Sequence, residues 1–180
     1  MREMVLTMGS LAAALVIGFG SGAPARQQVA ASGRTVTGSA QAICAATPLQ
    51  TAPFEGVRGL GGLRWIKAVP TSSGITGHLF YGHGARGAAA ELHTHGLMPD
   101  GGTTKILWLI DHGTVGSALT IDGRNLTGPG RSHQTFPEAG GGTFPYSQYP
   151  SIVDVPTPGC WRFHVRSGSV TGEVTLRVVG

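Results

Sequence analysis

The run Cys160-Trp161-Arg162-Phe163-His164-Val165-Arg166 decides the fold class. Trp161, Phe163 and Val165 alternate with Arg162, His164 and Arg166, a period of two. A strand sends successive side chains to opposite faces, so this stretch predicts a half-buried strand with its aromatics inside and its charges in water. A second run, Ile106-Leu107-Trp108-Leu109-Ile110, follows Lys105 and is apolar throughout. Five apolar residues are too few for a helix, and they fit a central strand covered on both faces.

Outward from these two runs, short apolar stretches recur between turn residues. Residues 63–69, 77–81, 104–111, 118–122, 133–136, 151–155, 160–166 and 172–179 are the predicted strands. Leu119-Thr120-Ile121 before Asp122-Gly123 predicts a strand ending in a tight turn. No window of helical length carries apolar residues at three and four spacing, and the best helical chance is a single turn over 88–92. The chain holds 30 Gly and 11 Pro, scattered rather than periodic, which excludes collagen and implies frequent turns. The expected fold is all-β, an immunoglobulin-like β-sandwich of about 7–9 short strands. Trp65, Trp108, Trp161 and the Leu176/Val178 face are expected in or near its core.

At 180 residues the chain has room for one domain of ordinary size. Residues 1–25 read as a signal peptide: Arg2 gives a thin positive start, Leu11, Leu15, Val16, Ile17 and Phe19 an apolar stretch, and Ala23-Pro24-Ala25 a small-residue cleavage site. The alternative is an uncleaved anchor, because residues 4–25 are uncharged and long enough to span a bilayer. Residues 26–42, rich in Ala, Ser, Gln and Thr, read as a flexible linker, and 43–180 as the sandwich domain. Export makes a disulfide the simplest use of Cys44 and Cys160, the two cysteines of the chain. Closing so long a loop stabilises a fold by roughly 4 kcal/mol in the chain-entropy model. Two free thiols, one a metal ligand, is the other reading.

Charged residues are only 12% of the chain and the net charge is +4, with Arg outnumbering Lys eleven to two. Arg34, Arg58, Arg64, Arg86, Arg124, Arg131, Arg162 and Arg177 are dispersed along the sequence, with no run of basic residues. That pattern argues against nucleic acid as a partner and leaves a mild attraction to anionic envelope polymers.

Histidine is the leading chemical candidate. Residues 82–102 form a 21-residue stretch without a predicted strand that holds His83, His93 and His95. His93-Thr94-His95 aims two imidazoles to one side if the backbone is extended, and His83 offers a third nitrogen, a set suited to zinc or copper. The competing reading is a polar surface loop with solvated histidines. Cys160 and His164 do not make a copper site, since four residues of strand separate them by about 13 Å. No G-x-S-x-G elbow is present, and the carboxylates are isolated. Phe136, Phe144, Tyr146 and Tyr149 gather within 14 residues, so Tyr146 and Tyr149 are the candidate ligand-contact pair, for instance for a carbohydrate. The same aromatics could instead fold back over the open end of the sandwich.

The stretch Tyr149-Pro150-Ser151-Ile152-Val153-Asp154-Val155-Pro156-Thr157-Pro158-Gly159-Cys160-Trp161 and the strand after it resemble the end of a group of uncharacterised bacterial secreted and lipoprotein-like domains. With the run at Lys105-Ile106-Leu107-Trp108 and residues 119–128, the resemblance covers most of 104–180. It implies an immunoglobulin-like sandwich in the cell envelope and no particular reaction. The chain departs from that group by lacking a lipobox and by carrying the histidine-rich stretch. The functional expectation is an exported cell-envelope domain, non-enzymatic, binding an envelope polymer or a protein partner, secreted or tethered by its leader. The alternatives are an extracytoplasmic metal-binding protein or metalloenzyme and a carbohydrate-binding module.

Overall fold

In the computed structural model, which describes residues 44–55, 57, 59–81, 90–111, 118–139 and 145–180, the extended runs pair into two five-stranded sheets. The strands of these residues are β1 (Leu49–Gln50), β2 (Arg64–Lys67), β3 (Ile75–Leu79), β4 (Glu91–His93), β5 (Lys105–Asp111), β6 (Leu119–Asn125), β7 (Arg131–Phe136), β8 (Tyr146–Ile152), β9 (Gly159–Ser167) and β10 (Val170–Val179). The first sheet has the order β1-β2-β3-β5-β8 and is antiparallel throughout. The second has the order β4-β10-β9-β6-β7, antiparallel except where β4 runs parallel to β10. All the described residues fall within one compact unit, Gly38–Gly180.

The two runs that decide the fold behave as their patterns predict. In β9, Trp161, Phe163 and Val165 are buried, while Arg162 and Arg166 are exposed. In β5, Ile106, Trp108 and Ile110 enter the core between the sheets, where they join the β9 aromatics and Val174, Leu176 and Val178 of β10. Leu107 and Leu109 point the other way, into a smaller cluster with Val57, Leu60, Phe54, Leu63 and Tyr146. Phe54, Val57, Leu60 and Leu63 therefore cover the outer face of the first sheet, and residues 106–110 of β5 are all apolar because both faces there are dry. Burying each such side chain is favourable by about 1.5–3 kcal/mol.

Three large core aromatics find partners for their polar tips, while the Tyr81 hydroxyl has none among the described residues. Trp108 Nε1 donates to Ser151 Oγ at 3.0 Å, and Trp161 Nε1 donates to the Thr157 carbonyl at 2.9 Å. The Tyr149 and Ser167 hydroxyls lie 2.8 Å apart, a bond that crosses from β8 in one sheet to β9 in the other. Gly77 of β3 makes room beneath Trp108, since a methyl group there would stand 3.0 Å from that indole and 3.1 Å from Ile66.

Several expectations are corrected. Asp122-Gly123 is not a turn: β6 continues through it to Asn125, and Gly123 is needed inside, where a Cβ would lie 2.9 Å from the Phe163 ring. The turn comes at 126–130, held by Asn125, whose Oδ1 accepts from the Thr127 amide and whose Nδ2 donates to Thr157 Oγ1 and the Pro158 carbonyl. Strand β8 begins at Tyr146, five residues before the predicted run. The stretch 82–102 does contain a strand, β4, so Glu91 and Leu92 are extended rather than helical. Trp65 sits on the outer face of the first sheet beside Phe54, not in the main core, and donates Nε1 to the Ala52 carbonyl. The leader, the linker and His83 lie outside the described residues. Among the described residues no helix is long and apolar enough to cross a membrane.

Cys44 and Cys160 form a disulfide across 116 residues, joining the lead-in to the start of β9. Thr47 adds two bonds to Thr175 of β10, its amide donating to the carbonyl and its Oγ1 accepting from the amide. Replacing both cysteines with Ser is expected to lower unfolding stability by about 3 kcal/mol in urea titration while leaving the β-sheet circular dichroism intact.

Candidate functional site

The pleat that buries one face of the second sheet turns every other residue of β6, β7, β9 and β10 outward. The register sets Arg131 of β7 opposite Arg124 of β6, and Arg124 opposite Arg162 of β9. All three are exposed. Directly paired residues carry their Cβ atoms about 4.5–5.5 Å apart, so three guanidinium stems stand in a line of about 10 Å across the strands. Thr175 of β10 ends the row.

The adjacent row reads His133, Asp122, His164, Glu173 across the same strands. It alternates basic with acidic groups. Asp122 is engaged by His133, with Nδ1 2.6 Å from Oδ1. Among the described residues Arg124, Arg131 and Arg162 have no carboxylate partner. A shallow hollow of about 610 Å3 opens between Asp122, Arg124, Arg131 and His133.

Edge strands are often guarded by charge against unwanted pairing, and that accounts for Arg131 on β7. It does not account for Arg124 and Arg162, which lie on strands with neighbours on both sides. Arginine presents five donors in a planar fork that matches the oxygens of phosphate and carboxylate groups. The chemistry available to this face is the binding of oxyanions.

The histidine candidates are arranged differently from the expectation. The extended backbone ends at His93, and a single 3-10 turn, Thr94–Gly96, follows. His95 there has φ 58°, ψ 15°, so the condition for two imidazoles on one side of a strand is not met. His95 Nδ1 instead lies 3.2 Å from Asp154 Oδ1, and the His95 amide donates to the Val155 carbonyl. His93 Nδ1 is buried without a hydrogen-bond partner among the described residues. No three His, Cys, Asp or Glu of the described residues come close enough to share a metal ion.

The tyrosine pair is split by the pleat of β8. Tyr149 is 0% exposed and belongs to the core, so it is not a ligand-stacking surface. Tyr146 is half-buried against Phe54, part of the cover on the first sheet. A second hollow, of about 560 Å3, borders the disulfide, but its charged groups serve each other: Arg177 Nη1 donates to Glu91 Oε1 at 3.2 Å.

His78 was absent from the candidate set. It is 0% exposed on the outer face of β3, edge-on to Phe54 at 4.6 Å between ring centres and stacked beside Trp65 at 6.1 Å. Its Nε2 lies 3.1 Å from Thr76 Oγ1, and its Nδ1 has no partner among the described residues. Burial pushes its pKa from 6.5 down to about 4. Burial also raises the Tyr81 phenol above its ordinary range, with the Glu91 carboxylate adding to the effect.

No family model, no curated protein and no solved structure matches the chain.

His78 sets an acid limit on the fold. Its folded pKa lies below its unfolded one, so the unfolded chain binds the extra proton first and stability falls as the pH drops from 6.5 toward 4. At pH 4.5 the loss is on the order of 2–3 kcal/mol relative to pH 7.5. Urea midpoints across that window are expected to show it in the wild type, and His78→Phe, whatever its own stability, is expected to lack that share of the pH dependence.

Proposed function

We propose that the chain is an exported, non-enzymatic binding domain of the cell envelope, built as an immunoglobulin-like sandwich, and that it engages its partner through the outer face of its second sheet. The Cys44–Cys160 disulfide is the observation that carries this reading. A structural disulfide persists in oxidising compartments and is rare in a reducing cytosol. The apolar leader at 4–25 agrees with it.

The connectivity supports the finer description of the fold. In an immunoglobulin-like sandwich, strands B and E pair in one sheet while C, F and G form the other. Here β5 and β8 pair in the first sheet, and β6, β9 and β10 are neighbours in the second, with β7 outside β6 in the place of C′. Strand β3 takes the A position beside β5, and β4 crosses to run parallel to β10. Strands β1 and β2 are additions outside that frame.

The choice of face follows from coverage. The first sheet's outer surface is occupied by Phe54, Val57, Leu60 and Leu63, whereas the second sheet presents Arg124, Arg131, Arg162 and Arg166 to solvent. A broad, charged, strand-mounted surface suits docking of an extended partner.

Thiol trapping with a maleimide in intact cells tests the reading. Both cysteines are expected to resist labelling until a reductant is added, and the protein is expected to sediment with isolated cell envelopes. Free thiols in the native protein, or no association with envelopes, would overturn it.

A further inference from the structure

We propose that the row Arg131, Arg124 and Arg162 binds a linear phosphodiester polymer with a polyol or sugar backbone, laid across β7, β6 and β9. This rests on the reading of the chain as an exported binding domain and names the ligand of that same face.

The register itself is the first argument. Like charges directly opposite on neighbouring strands destabilise a sheet, yet here the ladder holds two such pairs in succession, Arg131 with Arg124 and Arg124 with Arg162. Asp122 beside them is taken by His133. An anion laid on the row turns that repulsion into attraction.

Geometry then selects the anion. Opposed arginines about 5 Å apart at Cβ can converge on one group from two sides. A tetrahedral phosphodiester turns its two free oxygens in different directions, so each can accept from a different guanidinium. A planar carboxylate is satisfied by one fork. Three arginines in a line of about 10 Å ask for more than one such group in succession, which is a property of a polymer. Mounting on paired strands keeps the spacing rigid.

The rest of the face excludes nucleic acid as the favoured polymer. Its outward positions on these strands are Thr120, Thr135, Thr171 and Thr175 beside the charged and histidine rows, with no Trp, Tyr or Phe. Single-strand binders stack bases on aromatic side chains, and this face has none to offer. Threonine hydroxyls are suited to hydrogen-bond the hydroxyls of a polyol or sugar.

The test measures retention of the full oxidised chain on immobilised poly(glycerol phosphate), with polygalacturonate and a single-stranded DNA of matched charge as comparison probes. Wild type is expected to bind poly(glycerol phosphate) best, its affinity falling with salt at a log–log slope of about 2. R124T/R162T is expected to lose about tenfold or more, while K67T, an exposed cation of β2 in the first sheet and outside the proposed face, stays within about twofold. The urea midpoint of R124T/R162T should equal or exceed that of wild type, because the opposed charges are gone. R124K/R162K, which keeps the charge and loses the fork, should fall between and guards against a folding defect in the threonine variant. Unchanged binding by R124T/R162T would overturn the proposal. So would equal or tighter binding of polygalacturonate or DNA by the wild type. If wild type ignores poly(glycerol phosphate) but still sediments with envelopes, the ligand assignment fails and the binding-domain reading stands; if it does neither, both fail.

Discussion

The pleat of β9 cannot bury Trp161, Phe163 and Val165 without turning Arg162, His164 and Arg166 into water. A shift of one residue in its pairing would drive the arginines into the core and the aromatics out, so the register of the second sheet is held by the whole apolar load of the sandwich. That register is also what sets Arg162 against Arg124, and Arg124 against Arg131. Core and candidate site are therefore two sides of one constraint.

The two sheets use their outer faces differently. On the first, Phe54 and Trp65 pack against His78, Tyr146 packs beside Phe54, and Val57 and Leu60 pack with Leu109. That cover explains why β5 lacks an exposed face and why a histidine can sit at zero exposure with its charge suppressed. The second sheet has polar and charged residues at the outward positions of β6, β9 and β10. Coverage of one face by the chain's own segment leaves the other as the surface on which a partner can lie.

The parts legible in the sequence are those carried by local periodicity. The alternation in β9 and the apolar run in β5 specify strand type and burial without reference to anything distant, and both match the fold. Where a residue's role depends on what it faces, local pattern is silent. Gly123 looks like half of a tight turn, yet it is a strand residue that lets Phe163 approach. Strand β4 is three residues long and exists through parallel pairing with β10, more than 80 residues away, so no window of sequence contains it. Tyr149 sits among prolines and glycines that suggest a loop, while its burial and its bond to Ser167 follow from packing between sheets. The arginine row is the clearest case. Arg124 is separated from Arg131 by 7 residues and from Arg162 by 38 along the chain, and from each by one strand spacing in the fold. Their outward direction could be read from parity with Ile121 and Phe163, but their alignment could not.

A ladder of opposed like charges tends to splay, and the surroundings of this row resist it. Arg124 precedes Asn125, whose side chain ties the 126–130 turn to Thr157 and Pro158. Arg131 follows Gly130, whose carbonyl accepts from the Asn125 amide at 3.1 Å. Arg162 lies two residues past Cys160, which is bonded to Cys44, donates its amide to Thr127 Oγ1 and accepts from the Leu126 amide. The same corner thus anchors all three strands immediately beside the row. Bonds are concentrated where electrostatic repulsion is greatest, so the strands that carry the three arginines keep their register in the absence of a ligand. An anion meeting the row finds the backbone spacing already set by folding, so that share of the ordering cost does not offset its attraction to the arginines.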